Sequence, residues 1–587
     1  MLRGPDTRLR LVGGFLIAGL LLILGQLFRL QVVERSRYQP EVEELVRRPY
    51  TLPVPPSGVI LDRNGDLLVG NVPIYDVGAE VNLVGNYSVT QRVAEELAPL
   101  LDRDVNSLFE DLWIEDPGTD VVWRPLAYGV GADAGNELKE LKETRWPWLT
   151  LEPKWERYYA EGTLASHTLG FVNAEGYGYG VEAFQQRFLQ PKPAMGRGEV
   201  GVLSEPLASS LAKGKLRAYP GIDLRLTIDR TIQAFVEGQL DTALAEYGAS
   251  GGTILVMNPR TGEILAVASR PNYRPYDYAD YSEGEQDVFA DPAISVAYEP
   301  GSVFKVVTVA AALDSRSVGL DWSYFDSGVI EYGGAVIRNS DFQGHGWQNL
   351  QGVLDRSLNV GVATLTTQYM GSDVYYRYLR RFGFGQKTGI ALTGEASGIL
   401  NMPTDYDWSD SNLATNAFGQ GIAVTPLQLA TAVSALANHG TMMTPYIVAE
   451  WRYPDGRTVT AEPRALAQPV RPETADAVAE MMTNVVANRI TNAQVPGYAV
   501  AGKTGTAQIP VSGGYDPVDV VTSFIGFGPM PDPQVLILVK LERPQVPMHL
   551  RWGTQTAAPV FSQVAQRLFV LLGIPPADVM ADAAAGP

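Results

Sequence analysis

Two serines in this sequence are each followed three residues later by a lysine, as Ser210–Lys213 and Ser302–Lys305. On a helix this spacing places a hydroxyl and an amine one turn apart on the same face. A neutral lysine can take the serine proton and so turn the hydroxyl oxygen into a nucleophile. The pattern therefore indicates acyl-transfer chemistry, although a helix-capping serine beside a solvated lysine has the same spacing.

The sequences around the two pairs differ in the helix that they can form. Ser210 is soon followed by KGKLRAYPG, in which two glycines and a proline prevent a long helix. Ser302 opens SVFKVVTVAAAL, which is apolar almost all the way round and predicts a buried helix. Burial should lower the pKa of Lys305, and the amides at the helix start favour an oxyanion near Ser302. We therefore predict that Ser302 is the nucleophile and Lys305 its base.

A second pair of polar side chains follows in Ser357-Leu358-Asn359, within VLDRSLNVGVATL. Here Ser357 could relay a proton and Asn359 could hydrogen-bond a substrate amide, with the apolar Leu358 as an anchor for the turn. An ordinary surface turn has the same composition.

Lys-Thr-Gly also occurs twice. Lys387-Thr388-Gly389 lies in FGFGQKTGIAL, which is typical of a glycine-rich structural loop. The run that starts at Lys503 reads KTGT and follows VPGYAVA, which predicts a strand in which the glycine permits a ligand or a backbone to approach closely. A lysine and two hydroxyls at a sheet edge can bind a carboxylate and pair with an extended peptide. We predict that Lys503, Thr504, Gly505 and Thr506 form the functional copy.

Composition excludes several other kinds of site. The 587 residues carry a net charge of −19, which argues against a role based on bulk attraction to nucleic acid. The absence of cysteine excludes disulfide scaffolds, thiol nucleophiles and cysteine-ligated zinc. The four histidines lie too far apart in sequence for a helical metal site, but a Ser–His–Asp triad stays open.

The N-terminus predicts the compartment. Residues 11–28, LVGGFLIAGLLLILGQLF, carry no charge and as a helix would cover about 27 Å, close to the thickness of a bilayer core. Arginines precede this run and no small-residue cleavage site follows, which is typical of an uncleaved signal anchor. We expect one transmembrane helix, residues 1–10 inside the cell and the rest outside. The alternative is a buried helix of a soluble domain.

The remaining chain is long enough for two to four domains of about 100–200 residues each. Residues 32–219 are mixed, with a hairpin predicted at Asn64-Gly65 and helices at 89–101 and 135–143. From 222 to 572 the order is a strand at 223–228, a helix at 231–247 and two strands with a turn at 251–269, which predicts an α/β domain. Residues 573–587 are a small-residue tail.

The order Ser-x-x-Lys, Ser-x-Asn, Lys-Thr-Gly after an anchor resembles the penicillin-binding acyl-serine transferases, and most of the chain takes part in the resemblance. SGVILDRNGDLLVGN (57–71), ASHTLGFV (165–172) and GVEAF (180–184) resemble boxes of the pedestal, or dimerisation, domain of class B penicillin-binding proteins. YEPGSVFK (298–305), FGQGIAVTPLQLA (418–430) and GKTGTAQ (502–508) resemble their transpeptidase domain. Ser57 stands where class B proteins usually carry arginine, so no ion pair is expected from that position.

The resemblance implies a mixed α/β (α+β) fold: a serine β-lactamase-like transpeptidase domain at 222–572 on a pedestal at 32–219. It implies that Ser302 attacks the carbonyl between two terminal D-alanines of a peptidoglycan stem peptide and that Lys305 accepts its proton. Lys503, Thr504, Gly505 and Thr506 would bind the terminal carboxylate. Ser357 and Asn359 would orient the peptide, and the N–H groups of Ser302 and Thr506 would form an oxyanion hole. No metal or organic cofactor is implied.

The implied partners are the stem peptide, β-lactam antibiotics, the bacterial cell membrane and a multi-spanning glycan polymerase that contacts the anchor and pedestal; nucleic acid is not among them. Three alternatives stay open: a D,D-carboxypeptidase or β-lactamase, a β-lactam sensor that does not turn over, and a bifunctional polymerase. A D,D-carboxypeptidase or β-lactamase needs efficient attack by water on the acyl-enzyme, and it does not need a pedestal domain. A sensor needs a larger cytoplasmic part than residues 1–10, and a polymerase needs a second catalytic site before Leu226. The sequence leaves open elongation or division, the acceptor amine, the oligomeric state and any side activity as a hydrolase.

Overall fold

The computed structural model describes residues 5–29, 49–51, 54–115, 122–192, 195–197 and 218–576. Three predictions fall wholly or partly elsewhere. The Ser210–Lys213 pair, the first part of the tail at 1–10 and residues 577–587 of the C-terminal tail lie outside the described residues.

The helices of the described ranges begin and end as follows. They are α1 (Pro5–Phe28), α2 (Tyr87–Leu101), α3 (Val105–Leu112), α4 (Ala132–Thr144), α5 (Ser166–Leu169), α6 (Gly180–Phe184), α7 (Gln186–Leu189), α8 (Arg230–Tyr247), α9 (Pro292–Ser295), α10 (Lys305–Asp314), α11 (Leu350–Asp355), α12 (Asn359–Thr364), α13 (Gly371–Arg381), α14 (Asp410–Thr415), α15 (Pro426–Ala437), α16 (Pro472–Asn488) and α17 (Ala557–Leu571).

The strands follow in the same way. They are β1 (Pro49–Thr51), β2 (Ile60–Leu61), β3 (Leu67–Glu80), β4 (Trp123–Gly131), β5 (Leu149–Tyr159), β6 (Phe171–Val172), β7 (Gly178–Tyr179), β8 (Met195–Arg197), β9 (Asp223–Leu226), β10 (Gly251–Met257), β11 (Ile264–Arg270), β12 (Ser323–Asp326), β13 (Val329–Tyr332), β14 (Ala335–Arg338), β15 (Gly346–Asn349), β16 (Met442–Met443), β17 (Val448–Arg452), β18 (Thr458–Thr460), β19 (Ala465–Ala467), β20 (Ala501–Val511), β21 (Gly514–Gly528) and β22 (Val535–Glu542).

Helix α1 contains the apolar run at 11–28, but the side chains of residues 5–12 and 15 are outside the described set. Within the described part of the chain, no helix has both the length and the apolar character that a membrane span requires. The transmembrane anchor stays a prediction.

The chain divides into two compact units, each made of several segments. The first contains Met1–Pro56, Pro73–Trp155 and Pro191–Gly221. Its core packs side chains from β3, α2, α3 and α4, such as Val77, Leu97 and Leu138. The helices predicted at 89–101 and 135–143 are confirmed as α2 and α4, and the Asn86 side chain caps the first of them by accepting from the backbone N–H of Val89.

The second unit contains Ser57–Val72, Glu156–Gln190 and Ile222–Pro587. It holds a five-stranded antiparallel sheet in the order β11-β10-β22-β21-β20, so that β20 is an edge strand. Helices α8, α15 and α17 pack against this sheet. The predicted strand at 223–228, helix at 231–247 and strand pair at 251–269 are confirmed as β9, α8 and β10–β11.

The hairpin predicted at Asn64-Gly65 is also confirmed. Strands β2 and β3 pair antiparallel, with Ile60 opposite Val69. Asp62 holds the turn together because its Oδ1 accepts from the backbone N–H groups of Asn64 and Asp66, at 2.7 and 2.9 Å.

An ion pair between the partly buried Arg157 and the buried Glu182 stabilises the same region of the second unit, and the sequence patterns gave no sign of it. The guanidinium of Arg157 donates to Glu182 Oε1 at 2.5 and 3.0 Å and to the carbonyl oxygen of Gly58 at 2.9 Å. It also donates to Asn71 Oδ1. Burial raises the pKa of Glu182 against the opposing effect of the Arg157 charge. Thus Arg157, and not the residue at position 57, links Gly58 and Asn71 at the two ends of the segment 57–71.

Replacing Arg157 with methionine should lower the free energy of unfolding of the second unit by about 3–5 kcal/mol, because a buried carboxylate is left without its partner. Thermal and denaturant unfolding of the purified protein measure this loss. Arg230→Met is the matched control, since its ion pair with Glu161 is exposed and should contribute little. Equal losses in the two variants would contradict this assignment.

Candidate active site

Ser302 lies in a short 3-10 turn, Gly301–Phe304, that leads directly into α10. Every residue of α10 is buried, as the apolar sequence predicts. Gly301 has a φ of +60°, in the left-handed region of backbone conformation that glycine adopts more easily than other residues. A Cβ on Gly301 would lie 3.0 Å from the carbonyl oxygen of Thr506, so the turn packs directly on β20. This packing brings the Ser302 hydroxyl to the edge strand.

Two lysine amines meet at Ser357, and one of them also contacts the Ser302 hydroxyl. Lys305 Nζ lies 3.0 Å from Ser302 Oγ and 3.1 Å from Ser357 Oγ, and it also donates to the carbonyl oxygen of Ser357. From the other side, Lys503 Nζ lies 3.0 Å from the same Ser357 Oγ. The four polar groups therefore form one hydrogen-bonded chain, Ser302–Lys305–Ser357–Lys503.

Burial lowers the pKa of both amines. Lys305 is 0% and Lys503 1% exposed. Desolvation, together with the nearby charge of Lys503, places the pKa of Lys305 well below its usual value. Desolvation lowers the pKa of Lys503 to about 7, against a smaller opposite effect of Asp355. This direction agrees with the fall in the pKa of Lys305 that its burial predicts, and a lower pKa makes the amine a better candidate for accepting the Ser302 proton.

Ser357 owes its position to an unusual backbone conformation between α11 and α12. Its φ is +57°, which is uncommon for a residue with a side chain and is often found at functional sites. Leu358 is buried beside it, as expected for an anchor. Asn339, a residue that the sequence analysis missed, supports the turn because its Oδ1 accepts from the backbone N–H of Val360 at 3.1 Å. Asn359 donates through Nδ2 to the carbonyl oxygen of Arg338 at 2.9 Å.

Gly505 explains why the Lys503 run contains a glycine. A Cβ there would lie 2.4 Å from Ser523 Oγ and 2.8 Å from the carbonyl oxygen of Pro300. The close approach expected at this position is therefore that of the backbone before Ser302. On the same strand, Thr506 Oγ1 accepts from the backbone N–H of Gly553 at 3.1 Å.

Most of the predicted site residues line one cavity of about 600 Å³. The lining includes Ser302, Ser357, Asn359, Lys503, Thr504 and Thr506. Lys305 and Gly505 do not line it, because Lys305 is buried next to Ser302 and Gly505 packs under Pro300.

No histidine occurs among the described lining residues, so the Ser–His–Asp alternative does not apply to Ser302. The described ranges also contain no group of three acidic or histidine side chains arranged to hold a metal ion.

The second Lys-Thr-Gly run is a structural loop, as predicted. Thr388 donates from both its backbone N–H and its hydroxyl to Glu395 Oε1, while Lys387 is exposed and absent from the cavity lining. His167 lies outside this cavity and has a packing and hydrogen-bonding role, since its Nε2 lies 2.9 Å from the carbonyl oxygen of Val288 and its ring contacts Tyr273.

Comparison with known families agrees with this geometry. Residues 252–566, more than half of the chain, match the penicillin binding protein transpeptidase domain. The chain belongs to the penicillin-binding transpeptidase family. Residues 53–197 of this penicillin-binding protein match the penicillin-binding protein dimerisation domain, so the resemblance to class B proteins is confirmed.

Curated relatives cover most of the chain. Stage V sporulation protein D of Bacillus subtilis is 34% identical over 532 residues, which is 89% of this chain and 79% of that protein. Peptidoglycan D,D-transpeptidase FtsI of Escherichia coli is 28% identical and aligns over 97% of this chain and 92% of its own length. A crystal structure of penicillin binding protein 3 from Mycobacterium tuberculosis with aztreonam has a TM-score of 0.66 at 26% identity, over 90% of this chain and 98% of that one.

The pH dependence of acylation tests the arrangement of the two amines. Penicillin acylation by the wild-type protein should persist at neutral pH and fall only in acid, where Lys305 becomes protonated. Lys503→Met removes a neighbouring positive charge, so the pKa of Lys305 should rise and the acid limb of the profile should move to higher pH. Stopped-flow acylation rates across pH measure the shift.

Lys387→Met serves as the control, because its side chain is exposed and outside the cavity. If the acid limb of the pH profile does not move in Lys503→Met, or moves to lower pH, the proposed electrostatic coupling between the two amines is wrong.

Proposed function

We propose that this penicillin-binding protein is a membrane-anchored peptidoglycan D,D-transpeptidase that cross-links stem peptides through an acyl-serine intermediate and is inhibited by β-lactams. The observation that carries the proposal is the 3.0 Å contact between Ser302 Oγ and the amine of a fully buried lysine, at the wall of a cavity that Lys503 also lines. Relatives of this chain that are D,D-transpeptidases by name, among them FtsI of Escherichia coli, support the same reaction.

In the proposed acylation step, the neutral Lys305 takes the proton of Ser302 as the oxygen attacks the carbonyl between the two terminal D-alanines. The backbone N–H groups of Ser302 and Thr506 stabilise the oxyanion of the tetrahedral intermediate. Ser357 touches both amines and passes the proton on to the departing D-alanine amine. The carbon–nitrogen bond then breaks, and the donor peptide remains as an ester on Ser302.

Substrate binding in this scheme uses the edge of the sheet. An extended stem peptide pairs with β20, which has a free edge beside the cavity. Lys503, Thr504 and Thr506 bind the terminal carboxylate, with Gly505 allowing the strand to approach the nucleophile turn. Asn359 orients the peptide amide. The amine of a neighbouring stem peptide then attacks the ester and releases Ser302.

A β-lactam follows the first half of this path. It acylates Ser302 and stays bound, because hydrolysis needs a base that activates water. Asp355 is the one carboxylate among the described lining residues, and its Oδ1 already accepts from Gln351 Nε2 at 2.7 Å. We therefore favour the transferase over a β-lactamase or D,D-carboxypeptidase.

The sequence also supports a membrane location. In this proposal residues 11–28 anchor the chain in the bacterial cell membrane, residues 1–10 lie in the cytoplasm and both globular parts lie outside. The pedestal (32–219) and the transpeptidase domain (222–572) precede a small-residue tail (573–587), although Ile574 at its start is buried in the core of the second unit. A multi-spanning glycan polymerase is the proposed partner of the anchor and the pedestal.

Ser302→Ala should abolish covalent labelling by fluorescent penicillin, because the substitution removes the hydroxyl that is proposed to attack the β-lactam carbonyl. Intact-protein mass spectrometry before and after penicillin measures the adduct. Lys503→Ala should label slowly, while Lys387→Ala should label like the wild type. Labelling that survives Ser302→Ala would overturn the proposed function.

A second experiment adds a D-Ala-D-Ala donor and an amine acceptor to the wild-type protein. Its products separate a transferase from a hydrolase or a sensor.

Deleting residues 11–28 should move the protein from the membrane fraction to the soluble fraction of expressing cells, because these residues supply the apolar span. Sedimentation followed by immunoblotting measures the distribution, with extraction by carbonate and by detergent as controls. A full-length protein that carbonate removes from membranes would exclude an anchor of this type.

A further inference from the structure

The charges around the active-site cavity differ in sign from those of the whole chain. Three arginines, Arg338, Arg356 and Arg489, line the cavity in addition to Lys503, while Asp355 is the one acidic residue in the described lining. The chain as a whole carries a net charge of −19. A cleft lined by one sign of charge concentrates ligands of the opposite sign.

The three arginines are not used to hold the fold together. Among the described residues, no ion pair or hydrogen bond involves their guanidinium groups, and all three are exposed. Other arginines of the second unit do pair with carboxylates. Examples are Arg225 with Glu450, Arg270 with Glu237 and Arg471 with Asp314. Unpaired cations at a cavity, in an acidic protein, point to an anionic ligand.

The backbone fixes each arginine at the reaction site. Arg338 ends β14, and its carbonyl oxygen accepts the side chain of Asn359. Arg356 immediately precedes Ser357. These two therefore belong to the side of the cavity that carries the Ser-Leu-Asn turn.

Arg489 lies on another part of the cavity wall. It follows α16 and precedes the buried Ile490. Nearby in the chain, Asn492 Nδ2 donates to the carbonyl oxygen of Thr554 at 2.8 Å. Thr554 follows Gly553, which donates to Thr506, so this segment is tied to the strand of Lys503.

We propose that Arg338, Arg356 and Arg489 form a carboxylate-recognition rim, which selects stem peptides that carry a carboxylate besides that of the terminal D-alanine. The inference rests on the proposed function, in which Lys503, Thr504 and Thr506 take the terminal carboxylate. Guanidinium groups suit the task because they bind carboxylates through two parallel hydrogen bonds. The additional carboxylate belongs either to the donor peptide or to the acceptor peptide.

Two arms of one experiment distinguish these sources, with the full-length protein in detergent. The donor arm compares two acylated diamino acid-D-Ala-D-Ala peptides that differ only in whether the diamino acid's side-chain carboxylate is free or an amide. It measures kcat/KM for release of D-alanine. The acceptor arm holds the donor constant and compares diamino acid acceptors whose carboxylate beside the attacking amine is free or an amide. It measures the ratio of aminolysis to hydrolysis.

We expect a preference of about tenfold for the free carboxylate in at least one arm, because a charge-assisted hydrogen bond contributes about that factor. The preference should fall to within about threefold in Arg338→Gln, Arg356→Gln or Arg489→Gln, and it should weaken as salt is raised. Arg377→Gln removes an exposed arginine on α13 outside the cavity and should keep the wild-type preference.

Equal rates for carboxylate and amide in both arms would overturn the inference, as would a preference that all three rim variants retain. A preference that Arg377→Gln loses equally would also overturn it, since that result indicates a general charge effect. Penicillin labelling of the wild-type protein separates this failure from failure of the proposed function. A protein that labels at Ser302 without any carboxylate preference retains the function and lacks the rim.

Discussion

The burial of two lysine amines against one serine hydroxyl is the constraint on which the rest of the structure depends. Lys305 and Lys503 are almost completely removed from water, and both donate to Ser357 Oγ. Two ammonium ions in that position would be costly, because each loses its hydration and the two repel each other. The burial therefore favours two amines of lowered pKa around Ser357, of which Lys305 also contacts Ser302. The sheet, α10 and the turn at Ser357 together place these groups.

Glycine contacts make this arrangement possible. Gly505 lets the Pro300 backbone lie against β20, and Gly301 lets the nucleophile turn lie against Thr506. A Cβ on Gly419 would come 2.4 Å from the carbonyl oxygen of Gly301, so a third segment closes on the same turn. A side chain at any of these positions would crowd the neighbouring backbone and force the segments around Ser302 to shift. The catalytic geometry is thus maintained by close backbone packing as well as by hydrogen bonds.

Residue patterns predicted the parts of this structure that depend on neighbours in sequence. The apolar run after Ser302 predicted a buried helix, and the contrast between Lys503 and Lys387 correctly predicted a strand and a loop. Contacts between distant segments were not predictable. Arg157 forms an ion pair with Glu182, although the usual arginine position of class B proteins holds Ser57 and no ion pair was expected there. Asn339 and the three rim arginines likewise act only because the fold brings them to the cavity.

A direct titration of Lys305 tests the central claim. Carbon-13 NMR of protein labelled at the lysine Cε, with the Lys305→Arg variant used for assignment, follows the protonation of that amine as pH changes. Lys305 should titrate well below the ordinary lysine pKa of 10.5, and Lys503 should titrate at about 7. A Lys305 amine that stays protonated up to its ordinary pKa would contradict its role as the base for Ser302.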